Sequence, residues 1–149
     1  MTGRDESGSA LIELTWLGVL LLIPIIWIVM SVFEVQRGAF GVSAGARAAG
    51  RAYALAPDDA TGQARAEAAA RQALTDQGVT APVDVTISCT PYPTDCHSGT
   101  SIITVVVRSR VDLPLMPEVL GGGRPSFALD ARHTVPIGQY VEVTGGERR

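Results

Sequence analysis

Hydrophobic residues follow three patterns along this chain, and each pattern predicts a different element. From Leu14 to Phe33 (LTWLGVLLLIPIIWIVMSVF) twenty consecutive residues carry no charge. At 1.5 Å per residue a helix of that length covers about 30 Å, the thickness of a bilayer's hydrocarbon core. The run is expected to span a membrane. It is too long for the apolar region of an ordinary secretory signal, and no small-x-small cleavage site precedes Glu34. Pro24 cannot donate to the Leu20 carbonyl, so a mild kink is expected, which bilayer helices tolerate. Trp16, Leu20, Ile23 and Trp27 share one stripe, read as lipid-facing with Trp16 at the interface, with a face for a partner helix as the alternative.

Beyond Glu34 the period stays helical, but the residues become small. Gly38, Gly41, Gly45, Ala48, Ala52 and Ala56 fall on one stripe, which contains a GxxxG pair at Gly41 and Gly45. Ala46 and Gly50 form a second small-xxx-small pair. Phe40, Ala44, Arg47 and Arg51 fall on another side. Glycine costs a helix up to about 1 kcal/mol relative to alanine. The stripe therefore reads either as a packing face for a close backbone or as plain Ala and Gly usage. Pro57-Asp58-Asp59 ends this helix, and the aspartates suit the capping of a second one reaching about Gln77, with Gly78 as terminator. Glu67 and Arg71 stand four apart in the favourable order for an ion pair.

From Pro82 the period changes to two. Val83, Val85, Ile87 and Cys89 alternate with polar residues, and so do Ile103, Val105, Val107 and Val111. Phe127, Leu129, Ala131, His133 and Val135 repeat the pattern. Three strands with one apolar face each predict a small antiparallel sheet covered by helix. His133, on the apolar side, reads as a satisfied core histidine. The segment DLPLMPEVLGGGRPS reads as a long connection whose Leu115, Met116, Val119 and Leu120 either contact a partner or cap the sheet, and TGGERR reads as a frayed tail. The expected class is α+β, with a transmembrane helix over 9–36, a helical stalk and second helix over 37–78, and a β-rich head over 79–149.

Composition narrows the chemistry. The formal charge is -3 and all 12 basic residues are arginine, which excludes a lysine-based catalytic scheme. An acidic total without a dense Arg run argues against a nucleic-acid surface. Only Tyr92, Phe127 and Tyr140 among the aromatics lie beyond residue 54, too few for a large, deep-pocketed core. Neither His97 nor His133 has an acid at relay spacing in the sequence. The GGG at 121–123 follows no strand and stands among prolines, unlike a phosphate-cradling loop. No catalytic residue, cofactor or metal is assigned. Cys89 and Cys96 are close in sequence, with Pro91, Pro93 and Asp95 favouring a turn between them, which suits a disulfide in an oxidising compartment. Closing that short loop contributes roughly 2 to 3 kcal/mol. The competing zinc reading, with His97 and His133, has no familiar ligand spacing.

Glu13 is the residue that asks for an explanation. A carboxylate at the mouth of an apolar helix costs several kcal/mol if drawn unpaired into lipid. Cleavage after Gly8 would give Ser9 a new α-amine and make Glu13 the fifth residue. In staggered parallel helices one subunit's Glu13 then meets the next subunit's amine. This arrangement of Gly8, Ser9, Glu13 and a following apolar helix resembles the class III signal of type IV prepilins and their relatives.

The wider order resembles the TadE-like minor pilins (pseudopilins) of tight-adherence pilus systems. The likeness lies in GSALIELTWLGVLLLIP, the Glu34-Val35-Gln36-Arg37 exit, the helix AGARAAGRA and a small β-rich head with a Pro-rich loop. Ser9 replaces the Phe or Met common in major pilins, and Arg4 in the leader is offset by Asp5 and Glu6. The resemblance implies a bitopic protein of the cytoplasmic membrane whose leader, residues 1–8, is removed by a prepilin peptidase. It implies a structural role in building a thin pilus for adhesion or DNA uptake, with major pilin, sister minor pilins, the assembly machinery and the lipid bilayer as partners. Arg37, Arg47 and Arg51 follow the span and only Arg4 precedes it, so the positive-inside rule alone would place the head in the cytoplasm. A leader cut at the cytoplasmic face and the disulfide both point the other way. The competing readings are an uncleaved membrane-anchored binding module, with Glu13 snorkelling to the headgroups, and a type II secretion pseudopilin.

Overall fold

A computed structural model describes residues 7–113 and 125–139, with side chains from Ala10 onward. The leader's first six residues, the connection over 114–124 and the tail from 140 lie outside the described residues. The architecture is α+β: helix α1 (Ser7–Ala54), helix α2 (Asp59–Asp76), and strands β1 (Asp84–Thr90), β2 (Ile102–Asp112) and β3 (Ser126–Pro136). The strands form one antiparallel meander in the order β1-β2-β3.

α1 is a single helix of 48 residues that runs through Pro24. It is long and apolar enough to cross a membrane. Its two halves live in different surroundings. From Ala10 to Met30 the side chains are exposed almost throughout, whereas Val42, Ala46, Ala49 and Tyr53 are buried. The helix stops two residues earlier than the spacing suggested, where the Ala56 N–H turns to the Tyr53 carbonyl at 3.0 Å and Pro57 follows.

α2 has a defined cap at each end. Asp58 is its N-cap, accepting from the Thr61 N–H at 2.8 Å and the Thr61 hydroxyl at 2.9 Å, which satisfies a donor that the first turn leaves free. At the other end Gly78 adopts φ +72°, the left-handed conformation that glycine takes without strain. The Val79 N–H reaches the Leu74 carbonyl at 2.9 Å and the Gly78 N–H reaches that of Thr75 at 2.8 Å, the bonding of a Schellman motif. Val79 and Leu74 are both buried there, which adds the apolar contact that usually accompanies it.

The core lies between the helices and one face of the sheet. Val85 and Cys89 of β1, and Ile103, Val105, Val107 and Val111 of β2, meet Ala66, Ala70 and Leu74 of α2 and the buried residues of α1. α1 and β3 run in the same direction. An added Cβ at Gly38 would come within 2.5 Å of Leu129 Cδ1 and Val111 Cγ1, and one at Gly50 within 3.0 Å of Val135 Cγ2. The predicted β3 face is present, but Phe127 at its start is 50% exposed. It pairs with Val111 beyond the Leu129–Gly38 contact, toward the bare half of α1, where the helical cover thins.

Leu74 is fully buried, with its Cδ1 only 2.8 Å from where a Cβ on Gly45 would stand. Gly45→Leu is expected to destabilise the head by about 1–3 kcal/mol through overpacking, and Leu74→Ala by about 2–5 kcal/mol through the cavity it opens. Thermal unfolding of the full chain in detergent, followed by circular dichroism, measures both.

Candidate functional site

Gly8 and Ser9 lie in the first turns of α1; their side chains are outside the described set. Glu13 is exposed on the same helix, among apolar residues that are also exposed. The only neighbouring side-chain hydrogen bond described on this stretch is local, from the Thr15 hydroxyl to the Leu11 carbonyl at 2.8 Å. Among the described residues Glu13 has no ion-pair partner. The helical register places Ser9 and Glu13 one turn apart on one side of α1. A carboxylate and the site of a potential new amine thus share one face of a helix that the rest of the described chain does not cover.

The small-residue stripe is used within the chain. Gly41 and Gly45 lie against α2, where Cβ atoms would stand 3.5 Å from Gln77 Cβ and 2.8 Å from Leu74 Cδ1, while Gly38 lies against β2 and β3. Ala48 and Ala52 are half-buried, and Gly50, from the second small pair, meets Val135 and His133 of β3. The side of α1 carrying Phe40, Arg47 and Arg51 stays exposed, with Phe40 at 69%.

Cys89 and Cys96 form a disulfide. Both sulfurs are therefore committed to each other, and the zinc reading loses its thiolates. The residues around this bridge were not read as a unit from sequence. Asp59 Oδ1 lies 2.6 Å from His97 Nδ1, and His97 Nε2 lies 3.0 Å from the Tyr53 carbonyl oxygen. The Cys96 N–H donates to Asp59 Oδ2 at 3.3 Å, and the Tyr53 ring stacks on His97 with centroids 5.2 Å apart. Gly62 in α2 makes room for that ring, since a Cβ there would come within 2.9 Å of Tyr53 Cδ2. The end of α1, the start of α2 and the disulfide loop are thereby fastened at one point. Both ring nitrogens of His97 thus lie within hydrogen-bond distance of an oxygen, one of Asp59 and one of the Tyr53 backbone.

Several sequence expectations change here. His97 does have a neighbouring acid, Asp59, which is 38 positions away and brought close only by the fold. Asp58 alone caps α2, because Asp59 turns to the disulfide loop. Glu67 takes the Gln63 amide at 2.7 Å in place of Arg71. His133 is half-buried against Gly50, and its side chain makes no hydrogen bond among the described residues. For Asp59 and the loop, the only signal in the sequence was a second aspartate beyond what one cap requires.

Burial pushes the Asp59 carboxyl up. The hydrogen bonds from His97, the Cys96 N–H and Tyr53 outweigh this and hold it below the usual carboxylate range. Burial, followed by the hydrogen bond to Asp59 and its charge, pushes the Tyr53 hydroxyl well above its ordinary value. Asp58 is also lowered, first by the Thr61 N–H and then by the Thr61 hydroxyl.

No protein-family model matches the chain, and neither curated proteins nor solved structures give a match.

A carboxylate lowered by folding contributes stability above its unfolded value, near pH 4, and that contribution is lost as pH falls through the lowered folded value. Acidification from about pH 5 to about pH 3 is therefore expected to lower the Tm of the full chain, and less steeply in Asp59→Asn. Cys89→Ser is expected to lower head stability by about 2–3 kcal/mol without changing the fraction recovered in membranes. Thermal melts and membrane fractionation read these outcomes.

Proposed function

We propose that this chain is a minor pilin-like structural subunit of a tight-adherence, type IV-like pilus. In this reading it is a single-pass protein of the cytoplasmic membrane with its amino terminus inside. A prepilin peptidase cuts it between Gly8 and Ser9, and residues 79–149 lie outside. The role is structural, not enzymatic, and its partners are the major pilin, sister minor pilins and the assembly machinery.

The observation that carries this reading is Glu13: exposed, set one turn after Ser9, and without an ion-pair partner among the described residues, on a helix exposed almost throughout from Ala10 to Met30. Lipid makes such a carboxylate costly. A neighbouring subunit's Ser9 amine offsets that cost in a staggered array. The division of α1 adds support. The head is built on its carboxyl-terminal half alone, so the other half is available to lie beside other helices. The uncovered side at Phe40, Arg47 and Arg51 continues that surface past the bilayer. The disulfide accords with a head in an oxidising compartment.

Intact mass and amino-terminal sequencing of protein recovered from its native membrane are expected to give a chain beginning at Ser9. A chain that keeps Gly8 while an active prepilin peptidase is present overturns the reading in favour of an uncleaved anchored module. Glu13→Ala is expected to insert normally and to be missing from the sheared pilus fraction; wild-type amounts there would remove the ion pair from the mechanism.

A further inference from the structure

The height of the head against the apolar run of α1 follows from where α1 and β3 touch. Gly38 borders Leu129, and Gly50 borders His133 and Val135. From Gly38 to Gly50 is about 18 Å along the helix. From Leu129 to the stretch between His133 and Val135 is about 17 Å along the strand. The near equality means that β3 runs beside α1 with little tilt, so a height on one can be read on the other.

Phe127 lies two residues before Leu129, about 6.6 Å nearer the amino-terminal half of α1. Gly38 lies five residues after Phe33, about 7.5 Å beyond the end of the uncharged run. Phe127 therefore stands level with Phe33 and Glu34. In a helix that crosses a bilayer, this is the boundary between hydrocarbon and headgroups. Strand alternation places the Phe127 ring on the side of Leu129 and Val135, toward α1. There it is half exposed, whereas Leu129 and Val135 are partly buried against the helix.

The helix shows the same depth independently. Ser31 is 9% exposed, while Met30 and Val32 beside it are 46% and 48% exposed. Ser31 stands two turns before Gly38 and so shares the sheet-facing side of α1. Cover from the rest of the chain thus descends past Glu34 into the apolar run, on that side alone. Trp27, one turn nearer the amino terminus, is partly buried as well.

The two sides of the sheet differ at this end. Val111, Phe127 and Leu129 face α1, whereas Arg110, Asp112 and Ser126 turn to the opposite side and are exposed. An apolar side backed by a polar one is how amphipathic elements lie in an interface. Arginine and aspartate occur together on the outer side, so the contact does not depend on anionic lipid.

We propose that the β2–β3 end of the head is seated in the bilayer interface, with the Phe127 ring inserted among lipid chains at the hydrocarbon boundary. Lipid there takes the place of the helical cover that Leu129 has and Phe127 lacks. With the span as one attachment and Phe127 as another, the height of the head and the tilt of α1 are fixed together. The inference rests on α1 spanning a membrane and holds whether or not the leader is cut or a pilus assembled.

The test uses the full chain in dioleoyl phosphatidylcholine vesicles, with single introduced cysteines carrying a nitroxide. Cys89 and Cys96 are committed to each other and stay unlabelled. Collision with oxygen, which partitions into lipid, compared with collision with a water-soluble nickel chelate, reports depth. Phe127→Cys is expected to read within about 5 Å of the hydrocarbon boundary. Thr134→Cys, about 23 Å farther along β3, is expected to read as aqueous, and Ile23→Cys as buried in hydrocarbon. A second variant keeps the ring: p-benzoylphenylalanine at position 127 is expected to gain the mass of one lipid on irradiation, and at position 134 none. An aqueous reading for Phe127→Cys beside a hydrocarbon reading for Ile23→Cys refutes the seat alone. Aqueous readings for both refute the membrane span together with it. A crosslink from position 127 to a second protein chain in place of lipid assigns the surface to a neighbouring subunit and overturns the proposal.

Discussion

The head depends on α1 being approached from two sides at once, by α2 and by the sheet. A helix of ordinary side chains would hold both partners several ångströms farther away. At Gly38, Gly41, Gly45 and Gly50 the missing Cβ atoms are the space that Val111, Leu129, Leu74 and Val135 occupy or border. The cost is intrinsic, since each glycine weakens an isolated helix by up to about 1 kcal/mol. Burial of Leu74, Ile103, Val105 and Val107 around that narrow helix offsets it. This segment of α1 is thus helical because it is packed, while the apolar half needs no packing to be helical in lipid, where backbone groups must pair internally.

Much of this was legible in the sequence, and the limits have physical causes. The alternation in β1 and β2 returned as buried and exposed faces, because a period of two places each residue without reference to anything distant. The boundaries of α2 were legible for the same reason: Asp58 and Gly78 act on their own backbone neighbourhood. The network of His97, Asp59 and Tyr53 was hidden because three remote segments had to meet first. The stripe at Gly38, Gly41 and Gly45 was visible, yet its partners were not, since smallness records close approach without saying what approaches. Phe127 followed the strand period but ended half exposed, because burial depends on the extent of helical cover and not on the strand itself. For the candidate site at Gly8, Ser9 and Glu13, sequence carried nearly everything; the fold adds that Glu13 stands uncovered by the described chain.

The two ends of the molecule complement each other. Toward its amino terminus, α1 is almost wholly exposed and carries one carboxylate, Glu13, without an ion-pair partner among the described residues. At the other end of α1, a disulfide, a stacked tyrosine and a doubly engaged histidine fasten the turn into α2. Forces applied along α1 would therefore reach a head secured to the helix at its far end, and not one suspended from a flexible hinge.

Strand polarity adds a constraint on how copies can meet. β3 runs in the same direction as α1, and the antiparallel meander gives β1 that direction too. Both edge strands of the sheet therefore point away from the bilayer when α1 is inserted. Unpaired edges are the usual route to uncontrolled sheet growth, and like edges join most readily in antiparallel fashion. Two copies planted upright in the same leaflet orientation cannot satisfy that geometry without inverting one anchor. A membrane anchor at α1 would thus act as a steric chaperone for the sheet, leaving only parallel seams such as β3 beside a neighbour's β1.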